Sequence, residues 1–129
     1  MNSRNKGKVG ERAWRDWLRE QGYLKAYRGA QYCGLRGNGD VVCPETPLIH
    51  YEVKRGERLD VYGAVQQATR DCGRKYPVVA WRRNGHDWLA VMPAETFARL
   101  LRGSDLVQSR SFARWNQSLT RNPNSNWLY

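Results

Sequence analysis

Three charged residues, Asp40, Glu52 and Lys54, interrupt a stretch that is otherwise rich in β-forming residues. Carboxylate oxygens from two acids are the ligands that Mg²⁺ or Mn²⁺ prefers, with water and a substrate phosphate completing the coordination shell. A lysine beside such a metal orients an attacking water or stabilises negative charge that develops on phosphorus. If the fold brings these side chains to one place, they indicate metal-dependent hydrolysis of a phosphate ester.

A β-hairpin would bring the three side chains together. Two short β-prone runs flank residues 44–47, and the two prolines of this segment indicate a turn. If the turn is centred near Thr46, Asp40 pairs with Glu52, and directly opposed residues of antiparallel strands share one face. Lys54 lies two residues beyond Glu52 and therefore on the same face. The spacing alone leaves an alternative open, a surface hairpin with a cross-strand acid pair and a solvated lysine.

Periodicity and turn signals predict an α/β fold, with a central mixed β-sheet flanked by helices in the order α-β-β-β-α-β-β-α. Asp60 is expected to cap the second helix, and Asn84-Gly85 predicts the turn of the last hairpin. The crossover between the third and fourth strands makes the sheet mixed. The predicted helices are 7–21, 60–75 and 93–103, and the predicted strands are 23–32, 41–43, 48–54, 77–82 and the run after the Asn84-Gly85 turn.

Charge and composition restrict the function classes. The chain has 129 residues, with 22 lysines and arginines against 12 acids and a formal net charge of +10. This balance favours a polyanionic partner such as nucleic acid. No apolar run is long enough to span a membrane, and no GxGxxG or Walker A loop supports a nucleotide cofactor. From the length and the predicted elements, we expect one core domain, 1–103, followed by a C-terminal extension, 104–129.

The cysteines and the N-terminus predict a cytoplasmic, or at least intracellular, location. Three cysteines without a CxxC pair suit a reducing compartment, and the N-terminal segment has no apolar signal region. A zinc site from Cys33, Cys43 and His50 can be written down, but its spacing matches no common zinc pattern.

Taken together, these features resemble the PD-(D/E)XK nucleases. The similar features are Glu11 in the first helix, a glycine-rich loop, Gly39-Asp40, the hairpin, Glu52-Val53-Lys54 and a crossover helix with Gln66-Gln67. Within that superfamily the chain is most similar to the archaeal-type Holliday-junction resolvases and their phage-encoded relatives, over roughly residues 5–100. The chain has glycine where the motif's name has proline, and Cys33 or no equivalent where relatives often carry a loop serine.

The resemblance implies a restriction-endonuclease-like core, a homodimer and Mg²⁺-dependent cleavage of branched DNA, with Mn²⁺ expected to substitute. By position, Glu11, Asp40 and Glu52 would hold the metal, the Val53 carbonyl would add a ligand, and Lys54 would assist the attacking water. The apolar candidates for a dimer patch are Trp81, Trp88, the helix 93–103, Trp115 and Trp127.

Phosphate contacts are predicted for the basic residues around the presumed entrance of the site and for one glutamine. These residues are Arg4, Lys6, Lys8, Arg28, Arg36 and Gln67. Two other functions remain open at this point. One is a less selective flap or nicking nuclease of the same fold. The other is a non-catalytic nucleic-acid-binding module in which the acids only pair with arginines.

Overall fold

The computed structural model describes residues 3–29 and 39–108, with the backbone alone for residues 3–6. Within these residues, helices and strands alternate in the predicted order. The helices are α1 (Ser3–Glu20), α2 (Val61–Asp71) and α3 (Ala94–Arg102), and the strands are β1 (Tyr27–Arg28), β2 (Val41–Val42), β3 (Ile49–Arg55), β4 (Tyr76–Arg82) and β5 (Leu89–Val91). The chain divides into two compact units, 1–93 and 94–129, of which the first holds the sheet, α1 and α2.

The five strands form one mixed sheet in the order β1-β2-β3-β4-β5. β3 and β4 are parallel because α2 carries the chain from the end of one strand to the start of the other, whereas the other neighbouring strands are antiparallel. The fold class is therefore α/β, with a central mixed sheet, as predicted.

Alternation along the central strands packs α1 and α2 against opposite faces of the sheet. On one face, the Trp14 ring of α1 lies 5.6 Å from the ring of Tyr51 and 5.1 Å from that of Trp88, measured between centroids. On the other face, Ala68 of α2 packs with Val79 of β4. Because Tyr51 faces α1, the residues before and after it in β3, His50 and Glu52, face α2. Trp88, a candidate for a dimer patch, packs within its own chain.

Three predicted boundaries were wrong by four residues: α1 begins at Ser3 rather than at 7, and a glycine accounts for each of the other two. β1 begins at Tyr27 rather than at 23, because Gly22 takes a positive φ of 102° and the chain turns back against the end of α1. α2 ends at Asp71 rather than at 75, because Gly73 has a φ of 58° that a continuing helix does not allow. Asp60 caps α2 as predicted, accepting a hydrogen bond from the Gly63 amide.

Several predictions concern residues outside the described ranges. These are the glycine-rich loop from 33 to 38 with Cys33 and Arg36, the last residues of the strand 23–32, and the extension from 109 onward with Trp115 and Trp127. For Arg4 and Lys6 the structure describes the helical backbone alone. None of the helices in the described part of the chain is long and apolar enough to cross a membrane.

Candidate active site

The acid pair is positioned by the register of β2 and β3. Val41 pairs with Tyr51, so the preceding residue, Asp40, lies opposite Glu52, as the turn at Thr46 predicted. The Asp40 amide donates to the Tyr51 carbonyl at 3.0 Å, and Oδ2 of Asp40 accepts a hydrogen bond of 2.8 Å from the Val53 amide. The backbone of β3 therefore fixes both the main chain and the carboxylate of Asp40.

Gly39 is required by a close approach of backbones next to this pair. A Cβ at position 39 would lie 2.3 Å from the Tyr51 carbonyl oxygen, a distance at which the backbone of β3 has to move. A Cβ at Gly29 would in turn lie 2.2 Å from the Gly39 carbonyl oxygen. The glycines let three strands approach one another where the chain enters Asp40.

Glu52 has a buried partner that the sequence reasoning missed. Its Oε1 lies 3.0 Å from Nε2 of His50, and the two residues are only 6% and 2% exposed. Nδ1 of His50 has no hydrogen-bond partner among the described residues. His50, Glu52 and Lys54 alternate along β3 on the face toward α2, and this period of two was the signal that could have identified the histidine.

The two carboxyls of the pair titrate differently. Burial raises the pKa of Asp40 from 3.8 to about 7, and the nearby charges of Glu52 and Glu11 add to this rise against the Val53 hydrogen bond. Burial also opposes ionisation of Glu52, but the hydrogen bond and charge of His50, the hydrogen bond from Asp40 and the charge of Lys54 outweigh it and lower its pKa. Below about pH 7 the pair therefore holds one proton, on Asp40, unless a cation replaces it.

This raised pKa predicts how the metal-free protein responds to pH. Between about pH 4 and about pH 7, Asp40 keeps its proton in the folded protein and loses it in the unfolded chain. The free energy of unfolding therefore decreases as the pH rises through this range. Asp40→Asn resembles the protonated carboxyl and removes this loss. Between about pH 5 and about pH 8, we expect the variant to gain about 2 kcal/mol over the wild type, a value discounted for partial exposure.

Urea unfolding in EDTA at the two pH values measures this difference. Asp71→Asn, at an exposed carboxylate on α2, is the control and is expected to show no pH-dependent gain. If Asp40→Asn were no more stable than the wild type at the higher pH, the proposed burial of a shared proton would be wrong.

Glu11 reaches the site from the α1 side of the sheet. Its Oε2 accepts hydrogen bonds of 3.0 and 2.9 Å from Nε and a terminal nitrogen of Arg28. Arg28, predicted as a phosphate contact, is buried and paired with this acid within the chain. Glu52 and Lys54 project to the α2 side, so the three predicted acids do not meet as one cluster. The charge of Glu11 nevertheless contributes to the raised pKa of Asp40.

Lys54 is held beside the acid pair by α2. Its Nζ donates a hydrogen bond of 3.0 Å to Oε1 of Gln67, and its charge helps to lower the pKa of Glu52. Gln67, predicted as a DNA contact, thus has a partner within the chain. This arrangement orients the ammonium group toward the carboxylates while leaving two of its three N–H donors for water or substrate.

A divalent cation fits the pair of carboxylates, although not the predicted set of three. In the described part of the chain, no three histidine, cysteine, aspartate or glutamate side chains are grouped to hold a metal ion. Asp40 and Glu52, however, are close enough to share a hydrogen bond, and both ionise together only at a cost that a cation would remove. Magnesium is commonly held by one or two carboxylates, with water and substrate phosphate as its other ligands.

The other predicted ligands and contacts have mixed outcomes. The Val53 amide donates a hydrogen bond to Asp40. The Val53 carbonyl, predicted as a metal ligand, stays a prediction. Lys8 is exposed on α1, as a phosphate contact requires. Cys43 and Cys72 are both buried free thiols.

The chain was compared with protein families, curated proteins and solved structures. No family model matches this chain, and neither the curated proteins nor the solved structures include a match.

Proposed function

We propose that this protein is a Mg²⁺-dependent endonuclease of the PD-(D/E)XK type that hydrolyses phosphodiester bonds in branched DNA. The observation that carries the proposal is the opposed pair of Asp40 and Glu52, with Lys54 on the same face. Two opposed carboxylates, Glu52 buried and Asp40 half-buried, favour binding of a cation, and the net charge of +10 favours binding of a polyanion.

The residues of the chain would divide the work as follows. Asp40 and Glu52 would hold Mg²⁺, or Mn²⁺ in its place, which supplies Lewis acidity at the phosphate and lowers the pKa of a bound water. His50 positions Glu52, and the Val53 amide positions Asp40. Lys54, positioned by Gln67, would orient the attacking water and stabilise charge on the phosphate oxygens. Glu11 would join the metal ligands only if Arg28 released it.

For the substrate, we propose a four-way junction cleaved by a two-fold symmetric homodimer in the cytoplasm. Resolution of a junction needs paired nicks on opposed strands, and the described residues provide one acid pair per chain. A C₂ dimer presents the same site twice, which matches the near two-fold symmetry of the junction. The flap or nicking nuclease differs from this proposal in selectivity and oligomeric state, not in the chemistry of the site.

A second candidate, a non-catalytic nucleic-acid-binding module, is favoured by one observation. Two of the acids already have cationic or histidine partners, since Glu11 pairs with Arg28 and Glu52 with His50. In such a module, Glu11 and Glu52 would serve only to stabilise the fold through these two pairs. The pair of Asp40 and Glu52 argues against it, because binding a phosphate backbone gives no reason to hold two carboxylates against each other away from most of the solvent.

A cleavage assay combined with sedimentation of the protein separates these functions. Purified protein is incubated with four-way, Y-shaped and linear DNA, in Mg²⁺ and in EDTA, and the products and sedimentation of the protein are recorded. The proposal predicts paired cleavage of the four-way junction in Mg²⁺ only, by a dimer. Cleavage of all branched DNA by a monomer would indicate the nicking nuclease, and binding without cleavage in any metal would indicate the module.

A further inference from the structure

A cleft of about 400 Å³ lies between the C-terminal end of β3 and α2. Four basic residues and one acidic residue line it, although the Arg55 side chain runs toward Gly10 of α1: Lys54, Arg55, Arg58, Arg70 and Asp60. The cleft is large enough for a small polar ligand or part of a polymer. None of the three arginines was among the predicted DNA contacts.

The positive charges of this cleft are not neutralised within the described part of the chain. Lys54 and Arg55 donate to the neutral side chains of Gln67 and Asn84, while Arg58 and Arg70 make no ion pair or hydrogen bond with residues 3–29 or 39–108. The one carboxylate, Asp60, accepts from the Gly63 amide as the cap of α2. Three cations, Lys54, Arg58 and Arg70, against one anion give the cleft a positive potential that a polyanion would neutralise.

The cleft is continuous with the candidate active site through Lys54. The charge of Lys54 helps to lower the pKa of Glu52. Lys54 also lines the cleft, where its Nζ donates a hydrogen bond to Gln67. Gly63, Gln67 and Arg70 follow one face of α2 at helical spacing, and they span seven residues, about 10 Å along the helix axis. That length exceeds a single phosphate group, and the small Gly63 and Ala64 leave the floor of the cleft open.

We propose that this cleft binds the backbone phosphates of one nucleic-acid strand on one side of the bond that is cleaved. The proposal rests on the proposed function, because a phosphate at the acid pair would place the adjoining part of its strand over Lys54 and into the cleft. Arginine forms charge-assisted hydrogen bonds to phosphate oxygens, and such contacts position a strand without reading its sequence. Arg58 and Arg70, both exposed and without a partner in the part of the chain that the structure describes, are the residues assigned to this strand.

The test measures binding and not cleavage, so that it stands apart from the nuclease activity. Anisotropy titrations of a labelled single strand and a labelled four-way junction are made in EDTA with the full chain, at several salt concentrations. The variants are Arg58→Ala, Arg70→Ala and both together. The matched control is Arg74→Ala, an exposed arginine three residues after α2 that does not line the cleft.

Each cleft variant is expected to weaken binding about tenfold at low salt and to reduce the slope of log K against log salt by about 1. The Arg74→Ala control is expected to stay within about twofold of the wild type, with an unchanged slope. Inorganic phosphate, as a competitor, is expected to displace the strand only at far higher concentration, because one phosphate fills part of the cleft.

Two results would overturn the proposal. One is equal affinity of the cleft variants and the Arg74→Ala control, which would reduce the effect to general net charge. The other is inorganic phosphate competing as well as a strand does, which would make the cleft a small-anion site. If the wild type binds DNA through the cleft but cleaves none in Mg²⁺, the cleft proposal is supported and the nuclease proposal fails.

Discussion

Asp40→Asn and Glu52→Gln are each expected to reduce Mg²⁺-dependent cleavage of branched DNA by at least about 10³-fold. Each change keeps the size of the side chain but removes a negative charge from a pair that would hold one cation. DNA binding in EDTA is expected to change by no more than about twofold, because the phosphate backbone gains nothing from these acids. Single-turnover cleavage and anisotropy, measured on the same preparations, give the two quantities.

Asp71→Asn and Asp87→Asn serve as controls, since both remove an exposed carboxylate outside the site. They are expected to cleave at the wild-type rate. A variant of Asp40 or Glu52 that cleaves within about tenfold of the wild type would show that the pair is not the metal site.

Lys54→Met is expected to lower the single-turnover cleavage rate of bound DNA by about 10²-fold, which exceeds the loss of DNA affinity expected from removing one cation of the cleft. Methionine keeps much of the length of the lysine stem but has no ammonium group to orient water or meet charge on the phosphate. Gln67→Ala is expected to have a smaller effect, about tenfold, because the ammonium remains but loses its 3.0 Å partner. Rapid-quench measurement of the single-turnover rate separates these effects from binding.

Lys75→Met provides the matched control for this change. Lys75 is a partly exposed lysine after α2 that does not line the cleft beside Lys54, so its loss is expected to leave the rate unchanged. A Lys54→Met rate equal to that of the control would remove Lys54 from the chemistry and leave it as a structural partner of Gln67.

The register of the acid pair could be predicted because turn chemistry fixes it. The Thr46 amide donates to the Cys43 carbonyl at 3.0 Å, and the Thr46 hydroxyl lies 3.0 Å from the hydroxyl of Tyr51, so the turn is centred where the two prolines require. Once the centre is set, a period of two decides which side chains share a face. The order of helices and strands followed from periodicity in the same way.

The partners of the site residues could not be predicted, because they come from other elements. Arg28 is 17 residues from Glu11, and Gln67 is 13 residues from Lys54. A sequence pattern gives the face on which a side chain lies, but not which side chain reaches it across a helix or strand. The arginines of the cleft could not be predicted for the same reason, since Arg58 and Arg70 line one cleft only once the crossover places α2 beside β3.

His50 shows a different limit. It lies two residues before Glu52, so the alternation was visible, but alternation does not say which partner the imidazole takes, and a zinc site with Cys33 and Cys43 matches no common zinc spacing. Burial decides the matter in the structure, because a side chain that is 2% exposed needs its hydrogen-bond partner nearby, and Glu52 is that partner.

The central claim is that Asp40 and Glu52 together bind a divalent cation, and a Mn²⁺ titration followed by electron paramagnetic resonance tests it most directly. The wild type is expected to bind Mn²⁺ about tenfold more weakly at about pH 6 than at about pH 8, because a proton on Asp40, with its pKa of about 7, competes with the metal. Asp40→Asn is expected to lose both the binding and its dependence on pH. Equal binding by the wild type and Asp40→Asn, or no binding by the wild type at either pH, would contradict the claim.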